Sequence, residues 1–278
     1  MGKRILSWLS WTPFFLLVPY LMTIWCNGVD IALDNHVPDV ENCIPLLLFS
    51  QIPDTYEKET LKAQAVIART NLYKKIEKKE ALQVFQELER EWEKADIGPG
   101  TILAFLLDHG KNYEAAAEET EGQVLTYEYE LPLIPYHEMS GGRTRDGAET
   151  FHDDAYAYLA SVVSEADTKN PEFTKIIYLS KRMLPADLKI RDVDPNGYVT
   201  LLEADGKLLE GEAFRLGMML PSANFTLEEL KDEYRFVCKG SGHGVGFSQY
   251  GGNALAKKGA DHIEILKKYF PLLEVKTM

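Results

Sequence analysis

The sequence Gly240-Ser-Gly-His-Gly-Val-Gly-Phe-Ser-Gln-Tyr-Gly-Gly252 places one imidazole and several other polar side chains among six glycines. Glycine adopts backbone conformations that other residues avoid, and it lets a ligand or a second backbone approach closely. The run therefore predicts either a loop that holds His243 close to a bound substrate or a glycine-rich turn before a helix. Spacing alone leaves both interpretations open.

Apolar spacing in the rest of the chain predicts helices and strands without regular alternation, which is typical of an α+β fold. The expected strands are 44–49, 123–127, 133–137, 175–179, 197–202 with a hairpin partner from 207, 225–230 and 234–239. The expected helices are one through 61–72, one through 81–92, and 101–107, 211–219, 249–258 and 261–270. Asp205-Gly206 is the predicted hairpin turn.

Apolar stripes define three of these helices. Thr55 is the predicted cap of the first helix, and Gln64 lies at the edge of its stripe. The stripe residues are Leu61, Ala65, Ala68 and Leu72 in the first helix, and Ala81, Phe85, Leu88 and Trp92 in the second, highly charged helix. The last helix is expected to turn Ile263, Leu266 and Phe270 toward the core.

The N-terminus predicts a membrane anchor. Residues 5–25 carry no charge and are mostly apolar, which meets the length of about 20 residues that a membrane-spanning helix needs. Lys3 and Arg4 predict that the N-terminus is cytoplasmic. We therefore expect an anchor at 1–26, a stalk at 27–43 and a folded domain at 44–273, in a single-pass protein of the cell membrane with an extracytoplasmic C-terminal domain.

Charge and cysteine content narrow the possible partners and ligands. The net charge of −13 argues against nucleic acid, because phosphate binding needs a basic surface. Cys43 and Cys238 could pair as a disulfide outside the cell, or both could be unpaired buried thiols. The 6 histidines are scattered and no Cys-x-x-Cys or His-x-x-x-His motif is present, so we expect no metal site and no cofactor.

Several motifs, taken together and in order, resemble the SpoIID/LytB family of stage II sporulation protein D. They are Gln51-Ile-Pro-Asp-Thr-Tyr-Glu-Lys-Glu-Thr-Leu-Lys-Ala-Gln-Ala-Val-Ile-Ala-Arg-Thr70, Ser140-Gly-Gly-Arg-Thr144, Gly242-His-Gly-Val-Gly-Phe-Ser-Gln-Tyr-Gly251, Glu264-Ile-Leu266 and Tyr269-Phe-Pro271. The resemblance covers about residues 44–273 and implies a SpoIID-like domain. It also implies lytic transglycosylase activity on peptidoglycan strands without stem peptides, and LytB is described as an amidase enhancer.

The family reaction needs a carboxylic acid that protonates the leaving oxygen and then accepts a proton from the muramyl 6-hydroxyl. The family supplies it as the Glu of Glu-Met-Pro, thirteen residues before the Gln of Lys-Ala-Gln-Ala, and that position here is Gln51. An amide cannot deliver a proton near neutral pH. Asp54, Glu57 and Glu59 are the nearby acids that could substitute, or they could be helix-capping and solvent-exposed residues.

A zinc site is a second point of difference. Some SpoIID proteins bind zinc through one His and two Cys, whereas the next cysteine after His137 is Cys238, so we expect no zinc. His137 could contact substrate or bond to backbone. Arg69 could reach the substrate or pair with a carboxylate, and Tyr250 could stack on a sugar ring or lie in the core.

The resemblance implies a substrate-binding set in three segments. The set is Gln64, Arg69, His137, Ser140, Gly141, Gly142, Thr144, His243, Ser248 and Gln249, with Gln51 at the catalytic position. The expected ligand is the peptidoglycan glycan strand, and a cell-wall amidase or another sporulation membrane protein is the candidate partner. Two functions stay open: remodelling of glycan strands by cleavage, or a glycan-binding amidase enhancer or structural partner at the engulfing septum without turnover.

Overall fold

The described residues, 40–79, 83, 84, 87, 110–185 and 187–278 of a computed structural model, combine helices with short strands. The helices are α1 (Val40–Gln51), α2 (Lys58–Lys78), α3 (Gly110–Glu118), α4 (Gly147–Phe151), α5 (Gly211–Gly217), α6 (Gln249–Ala256) and α7 (His262–Tyr269). The strands are β1 (Gln123–Thr126), β2 (Tyr136–His137), β3 (Thr174–Ser180), β4 (Leu188–Val193), β5 (Val199–Ala204), β6 (Lys207–Glu210), β7 (Phe225–Glu229), β8 (Glu233–Lys239), β9 (Phe247–Ser248) and β10 (Glu274–Thr277). The α+β prediction is confirmed.

Helices α1, α2 and α3 pack around one hydrophobic cluster. The strand predicted at 44–49 is wrong, because this segment belongs to α1 and buries Ile44, Leu47 and Leu48 on one helical face. A short continuous apolar run does not distinguish a buried strand from a buried helix. Helix α1 already includes residues 40–43, which were expected to end the stalk.

Helix α2 carries the predicted stripe, since Leu61, Ala65, Ala68 and Leu72 are all buried. The predicted cap is wrong: the N-cap is Glu57, and its side chain makes no capping hydrogen bond. Its backbone N–H instead donates to Asn253 Oδ1 at 2.8 Å. Thr55 lies in the preceding turn and is exposed.

The opposite face of α2 packs against the end of the chain. Ala63, Val66 and Ile67 share a second hydrophobic cluster with α7 and with Phe247 of β9. The predicted final helices at 249–258 and 261–270 are confirmed as α6 and α7. Of the predicted core residues in α7, Leu266 and Phe270 are buried, but Ile263 is 38% exposed and Ile265 takes its place.

Two antiparallel sheets, ordered β3-β8-β7 and β4-β5-β6, enclose a third cluster with α5. The β5–β6 hairpin turns at Asp205 and Gly206 as predicted, and both residues have positive φ. Strand β4 and strand β10, which pairs with β1, were not predicted.

Cys43 and Cys238 do not form a disulfide with each other. Cys43 packs beside the α1–α2–α3 cluster, whereas Cys238 is buried in the cluster of the two sheets. Burial raises the pKa of the Cys238 thiol to about 11. Of the two alternatives for these cysteines, the disulfide is therefore wrong.

Some predictions concern other parts of the chain. The anchor at 1–26, the stripe through 81, 85, 88 and 92, and the helix at 101–107 lie outside the described residues. Within the part of the chain that the structure describes, no helix has both the length and the apolar character needed to cross a bilayer.

Candidate functional site

Three glutamines from distant parts of the chain meet where α1 ends, α2 passes and α6 begins. Gln249 Nε2 donates to the backbone carbonyl of Gln51 at 2.8 Å and to Gln64 Oε1 at 3.2 Å. Gln64 Nε2 donates to Gln51 Oε1 at 2.9 Å. We refer to Gln249, Gln64 and Gln51 as the amide chain.

The orientation of every amide in this chain follows from its first bond. A backbone carbonyl only accepts hydrogen bonds, so Gln249 must turn its NH₂ group toward it. Gln64 then has to present its oxygen to Gln249 and its NH₂ group to Gln51. The last group is the NH₂ of Gln51, which donates to no acceptor in the hydrogen bonds of the described residues. The amide chain therefore ends in a hydrogen-bond donor.

Gln51 is also the most solvent-accessible of the three glutamines in the amide chain. Gln64 is fully buried and Gln249 is 5% exposed, whereas Gln51 is half-buried. Gln51 lines a groove of about 550 Å³ with Phe49, Ser50 and Asp54. Ile52, Pro53 and Tyr113 complete the lining.

The two short parallel strands β2 and β9 bring the other motifs to the same region. Tyr136 pairs with Phe247 and His137 with Ser248, so the residues that follow each strand come together. Tyr250 N donates to the Glu138 carbonyl at 2.9 Å, and Ser241 Oγ donates to Glu138 Oε2 at 2.6 Å. The exposed Glu138 carboxylate was not singled out from the sequence because it belongs to no motif.

Tyr56, in the turn before α2, lies near these strand ends. Burial raises the pKa of its hydroxyl to about 12, and the charge of Glu138 acts in the same direction. The turn that follows Gln51 and the ends of β2 and β9 therefore share one electrostatic environment.

His137 and His243 form a neutral pair, with ring centroids 5.6 Å apart. His137 Nδ1 lies 3.0 Å from the Val245 carbonyl and must carry the ring proton, which leaves Nε2 as an acceptor with no partner among the described residues. Burial, and then the neighbouring His243, lower the pKa of His137 to about 3. His137 therefore bonds to the backbone, which is one of the two alternatives predicted from the sequence. Its Nε2 has no hydrogen-bond partner among the described residues.

His243 is more accessible than His137, but its imidazole is used internally, with one hydrogen bond to the backbone of Val245 and one to the backbone of Tyr136. Its Nδ1 accepts a hydrogen bond from Val245 N at 3.1 Å. Burial lowers its pKa, and the charge of Glu212 opposes that change. At neutral pH, neither imidazole carries a charge.

The glycine-rich run is explained largely by protein atoms. A Cβ on Gly244 would overlap with Tyr198 Oη, and one on Gly246 would overlap with the Pro135 carbonyl. A Cβ on Gly242 would lie 2.7 Å from His137 Cβ, and these three glycines also have positive φ. At these positions a nearby substrate is not needed to explain the glycines, since tight packing against other protein atoms already requires them.

A buried carboxylate joins the two loops of the site. Asp167 accepts hydrogen bonds from Ser140 N at 2.9 Å and Ser140 Oγ at 2.5 Å, and from Ser248 Oγ at 2.9 Å. Burial raises its pKa, and the hydrogen bonds from Ser140, Ser164 and Ser248 oppose that rise. Sequence reasoning missed Asp167 because a lone acid in a polar loop carries no signal. We refer to these four residues as the Asp167 cluster.

Other predicted site residues have internal partners. Thr144 is fully buried, and its Oγ1 accepts from Val162 N at 2.9 Å. Gly141 N donates to Tyr198 Oη at 2.8 Å, and Gly142 N donates to Ser140 Oγ at 3.2 Å. These residues shape the turn at 140–144.

Arg69 is not part of this assembly. It is fully buried and bonds to Glu41 in bidentate fashion, with Nε–Oε1 and Nη2–Oε2 distances of 2.7 Å. Its remaining donors reach the carbonyls of Ala117 and Gln123 and the hydroxyl of Thr120. Of the two alternatives predicted for Arg69, pairing with a carboxylate agrees with these contacts.

The three candidate acids near Gln51 have different environments. Burial would raise the pKa of Glu59, but hydrogen bonds from Lys62 and His262 lower it to about 2. Glu57 is an exposed N-cap residue. Asp54 lines the same groove as Gln51 and is therefore the best placed of the three.

A zinc ion does not fit the described residues. His137 offers one open nitrogen, but no group of three His, Cys, Asp or Glu side chains with metal-binding geometry occurs in the described ranges. A structural zinc site needs about four such ligands.

Similarity to known proteins identifies this assembly of motifs. A family profile described as "SpoIID: Stage II sporulation protein" matches residues 33–127. Stage II sporulation protein D of Bacillus subtilis (strain 168) is 32% identical over 281 residues, covering 91% of this chain and 77% of the relative. The chain belongs to the SpoIID family. The resemblance inferred from the motifs is confirmed.

Two further proteins are similar to this SpoIID-family sporulation protein. Stage II sporulation protein D of Bacillus amyloliquefaciens is 30% identical over 275 residues, covering 87% of this chain and 76% of the relative. The Amidase enhancer of Bacillus subtilis (strain 168) is 24% identical over 296 residues, covering 80% of this chain but 38% of the relative. The SpoIID-family protein is thus also related to an amidase enhancer.

Proposed function

We propose that this SpoIID-family protein binds peptidoglycan glycan strands during sporulation and does not cleave them. The observation that carries the proposal is the amide chain, which ends in the NH₂ group of Gln51 at the edge of a groove. An amide donates hydrogen bonds to sugar or acetamido oxygens, but it cannot supply the proton that a leaving sugar oxygen needs. Gln51 therefore suits recognition rather than turnover.

The other groups of the candidate site support a ligand that is recognised by hydrogen bonds. His137 and His243 are neutral at pH 7, so neither adds a charge to the candidate site. The net charge of −13 disfavours nucleic acid as a ligand. The hydroxyl and acetamido groups of a glycan strand are compatible with these hydrogen-bonding groups.

The proposal includes a location and a partner. The uncharged segment at 5–25 would anchor the chain, and the domain that carries Gln51 would lie outside the cell membrane. Because one relative is named an amidase enhancer, we extend the proposal to a cell-wall amidase as the protein partner. In this account the SpoIID-family protein holds the glycan while the amidase acts.

The experiment uses purified full-length protein and peptide-free glycan strands. We expect wild type to co-sediment with the strands and to release no anhydro-muramyl products. Gln51→Glu restores a carboxyl at the position where the family carries its acid, and we expect it to generate such products. Thr226→Glu places the same charge on an exposed position of β7 and should not. Anhydro-muramyl products from wild type would exclude a non-cleaving protein, and failure of wild type to bind would exclude the proposal altogether.

Asp54 supports a second candidate function, lytic transglycosylase activity with a substituted acid. Asp54 lines the groove next to Gln51, and burial and the charge of Asp54 both raise the pKa of Tyr113, which lines the same groove. If Asp54 acts as the acid, wild type releases anhydro-muramyl products and Asp54→Asn abolishes them. If Asp54 only lines the groove, the variant changes binding alone.

A further inference from the structure

Asp167 is a fully buried carboxylate whose described contacts are hydroxyl and N–H groups. A charge without a positively charged partner is stable inside a protein only when several donors surround it. Ser140 contributes two donors and Ser248 contributes one, and Ser164 adds a hydroxyl that also bonds to Tyr269 Oη at 2.7 Å. The Asp167 cluster is therefore a complete set of donors around one acceptor.

The two main partners of Asp167 belong to different segments of the candidate site. Ser140 begins the turn at 140–144, directly after the end of β2. Ser248 ends β9 and is the N-cap of α6, and its Oγ also accepts from Gly251 N at 3.2 Å. The residue after Ser248 is Gln249, which starts the amide chain. One carboxylate thus fixes both the turn and the first residue of the amide chain.

We propose that Asp167 is the positioning residue of the glycan site: it holds Ser140 and Ser248 in place, and through Ser248 it sets the position of Gln249 and the direction of the Gln51 NH₂ group. This inference rests on the proposed function, since the Gln51 NH₂ group is the one that would contact the glycan. The positioning itself depends only on contacts within the protein. Asp167 does not touch the ligand in this account.

An isosteric change at Asp167 removes one acceptor without removing volume. The bonds from Ser140 N, Ser140 Oγ and Ser248 Oγ converge on Asp167 Oδ2, and Ser248 Oγ also lies 3.0 Å from Oδ1. In Asp167→Asn the amide oxygen keeps the Oδ2 bonds only if its NH₂ group takes the Oδ1 position, where it donates to Ser248 Oγ in competition with Gly251 N and weakens the N-cap of α6. The first turn of α6, with Gln249 in it, is then free to shift.

The test records the side-chain NH₂ signals of Gln51, Gln64 and Gln249 in ¹⁵N-labelled full-length protein without any ligand. We expect Asp167→Asn to move the Gln249 signal most, followed by Gln64 and then Gln51. Asp194→Asn is the matched control, because Asp194 is also mostly buried but pairs with Arg145 at 2.9 Å and does not bond to Ser140 or Ser248. Unchanged glutamine signals in folded Asp167→Asn would overturn the proposal.

Two smaller variants decide the matter even if Asp167→Asn does not fold. Ser248→Ala cuts the connection to α6 and should move the Gln249 signal, whereas Ser140→Ala cuts only the connection to the turn and should leave that signal close to wild type. A loss of packing alone would give shifts that follow the loss of thermal stability in both variants. Equal shifts in the two variants would therefore contradict positioning through Ser248.

Binding to peptide-free glycan strands is measured on the same samples. We expect Asp167→Asn to weaken binding at least about tenfold, since displacing the amide chain removes a directed hydrogen bond. If wild type itself does not bind glycan while the signals shift as expected, the proposed function fails and the positioning role stands. If wild type binds and Asp167→Asn binds equally well, the positioning role fails and the proposed function stands.

Discussion

Gln64 and Arg69 lie five positions apart on α2, both are fully buried, and both come from the same sequence motif, yet their hydrogen-bond networks differ in one respect. The Arg69 network is closed, because its donors reach Glu41, Thr120 and two carbonyls inside the protein. The Gln64 network is open, because it leads through Gln51 to an NH₂ group without a described partner.

This difference separates two reasons for a buried polar residue in one motif. A closed network satisfies its own groups and contributes to stability, since a lost partner leaves a buried group without a hydrogen bond. An open network ends at a surface and can be completed by a ligand. Membership in a family motif does not by itself show which of the two roles a residue has.

The largest effect is expected from opening the closed network. Arg69→Met removes the bidentate partner of the Glu41 carboxylate and one donor from each of the Ala117 and Gln123 carbonyls, and we expect the free energy of unfolding to fall by about 3 kcal/mol. Urea unfolding measures this loss. Lys74→Met, which removes a surface ion pair with Glu77 on the same helix, should change it by less than about 0.5 kcal/mol. Equal losses in the two variants would mean that the Arg69 network contributes no more to stability than a surface ion pair.

A second effect comes from His137, which has one bonded and one open nitrogen. Its folded pKa of about 3 lies below the unfolded value of 6.5, so the unfolded chain binds the proton more tightly. The contribution of the neutral imidazole is fully present above pH 6.5 and is lost as the pH falls toward 3. Between pH 6.5 and 5 the loss amounts to about 2 kcal/mol.

His137→Asn isolates this contribution. The Asn side chain can still donate to the Val245 carbonyl but does not titrate. We expect unfolding free energies measured from pH 7 to pH 5 to fall less steeply for the variant than for wild type. Parallel curves would show that His137 is protonated as easily in the folded protein as in the unfolded chain.

Breaking the open network at Gln64 should affect glycan binding more than stability. Gln64→Met keeps the volume but leaves Gln51 Oε1 without a donor and Gln249 Nε2 without its second acceptor. We expect a stability loss of about 1 to 2 kcal/mol together with at least tenfold weaker binding to peptide-free glycan strands. A variant that loses stability but binds normally would place Gln64 in the same class as Arg69.

The smallest stability effect is expected at the end of the open network. In Gln51→Glu, one carboxylate oxygen can still accept from Gln64 Nε2 and the other replaces the open NH₂ group. We expect the free energy of unfolding to change by less than about 0.5 kcal/mol, because Gln51 is half-buried and the internal bond survives. A loss as large as that of Gln64→Met would show that the NH₂ group has an internal role.

The sequence predicted those elements whose signals are local. The stripe of α2, the Asp205-Gly206 hairpin and the two final helices all depend on spacing within a few residues, and the structure contains them. The strand predicted at 44–49 is wrong because an apolar run fits both a strand and a helix, and only contacts with α2 and α3 decide between them.

The site was predictable to the extent that motifs mark it. The motifs selected Gln51, Gln64 and Gln249, but their hydrogen bonds join residues up to 198 positions apart and depend on the fold. Asp167 has no signal in the sequence, because its role comes from two serines that tertiary structure brings to it. The glycines could be read as facing a ligand until the atoms around Gly244 and Gly246 were known.

The most direct test follows the side-chain signals of Gln51 and Arg69 in ¹⁵N-labelled full-length protein during titration with peptide-free glycan strands. We predict that the Gln51 NH₂ signals shift progressively and saturate with binding, while the Arg69 Nε–H signal stays in place. Saturable binding with the Gln51 signals unchanged would contradict the claim that the open end of the amide chain meets the glycan.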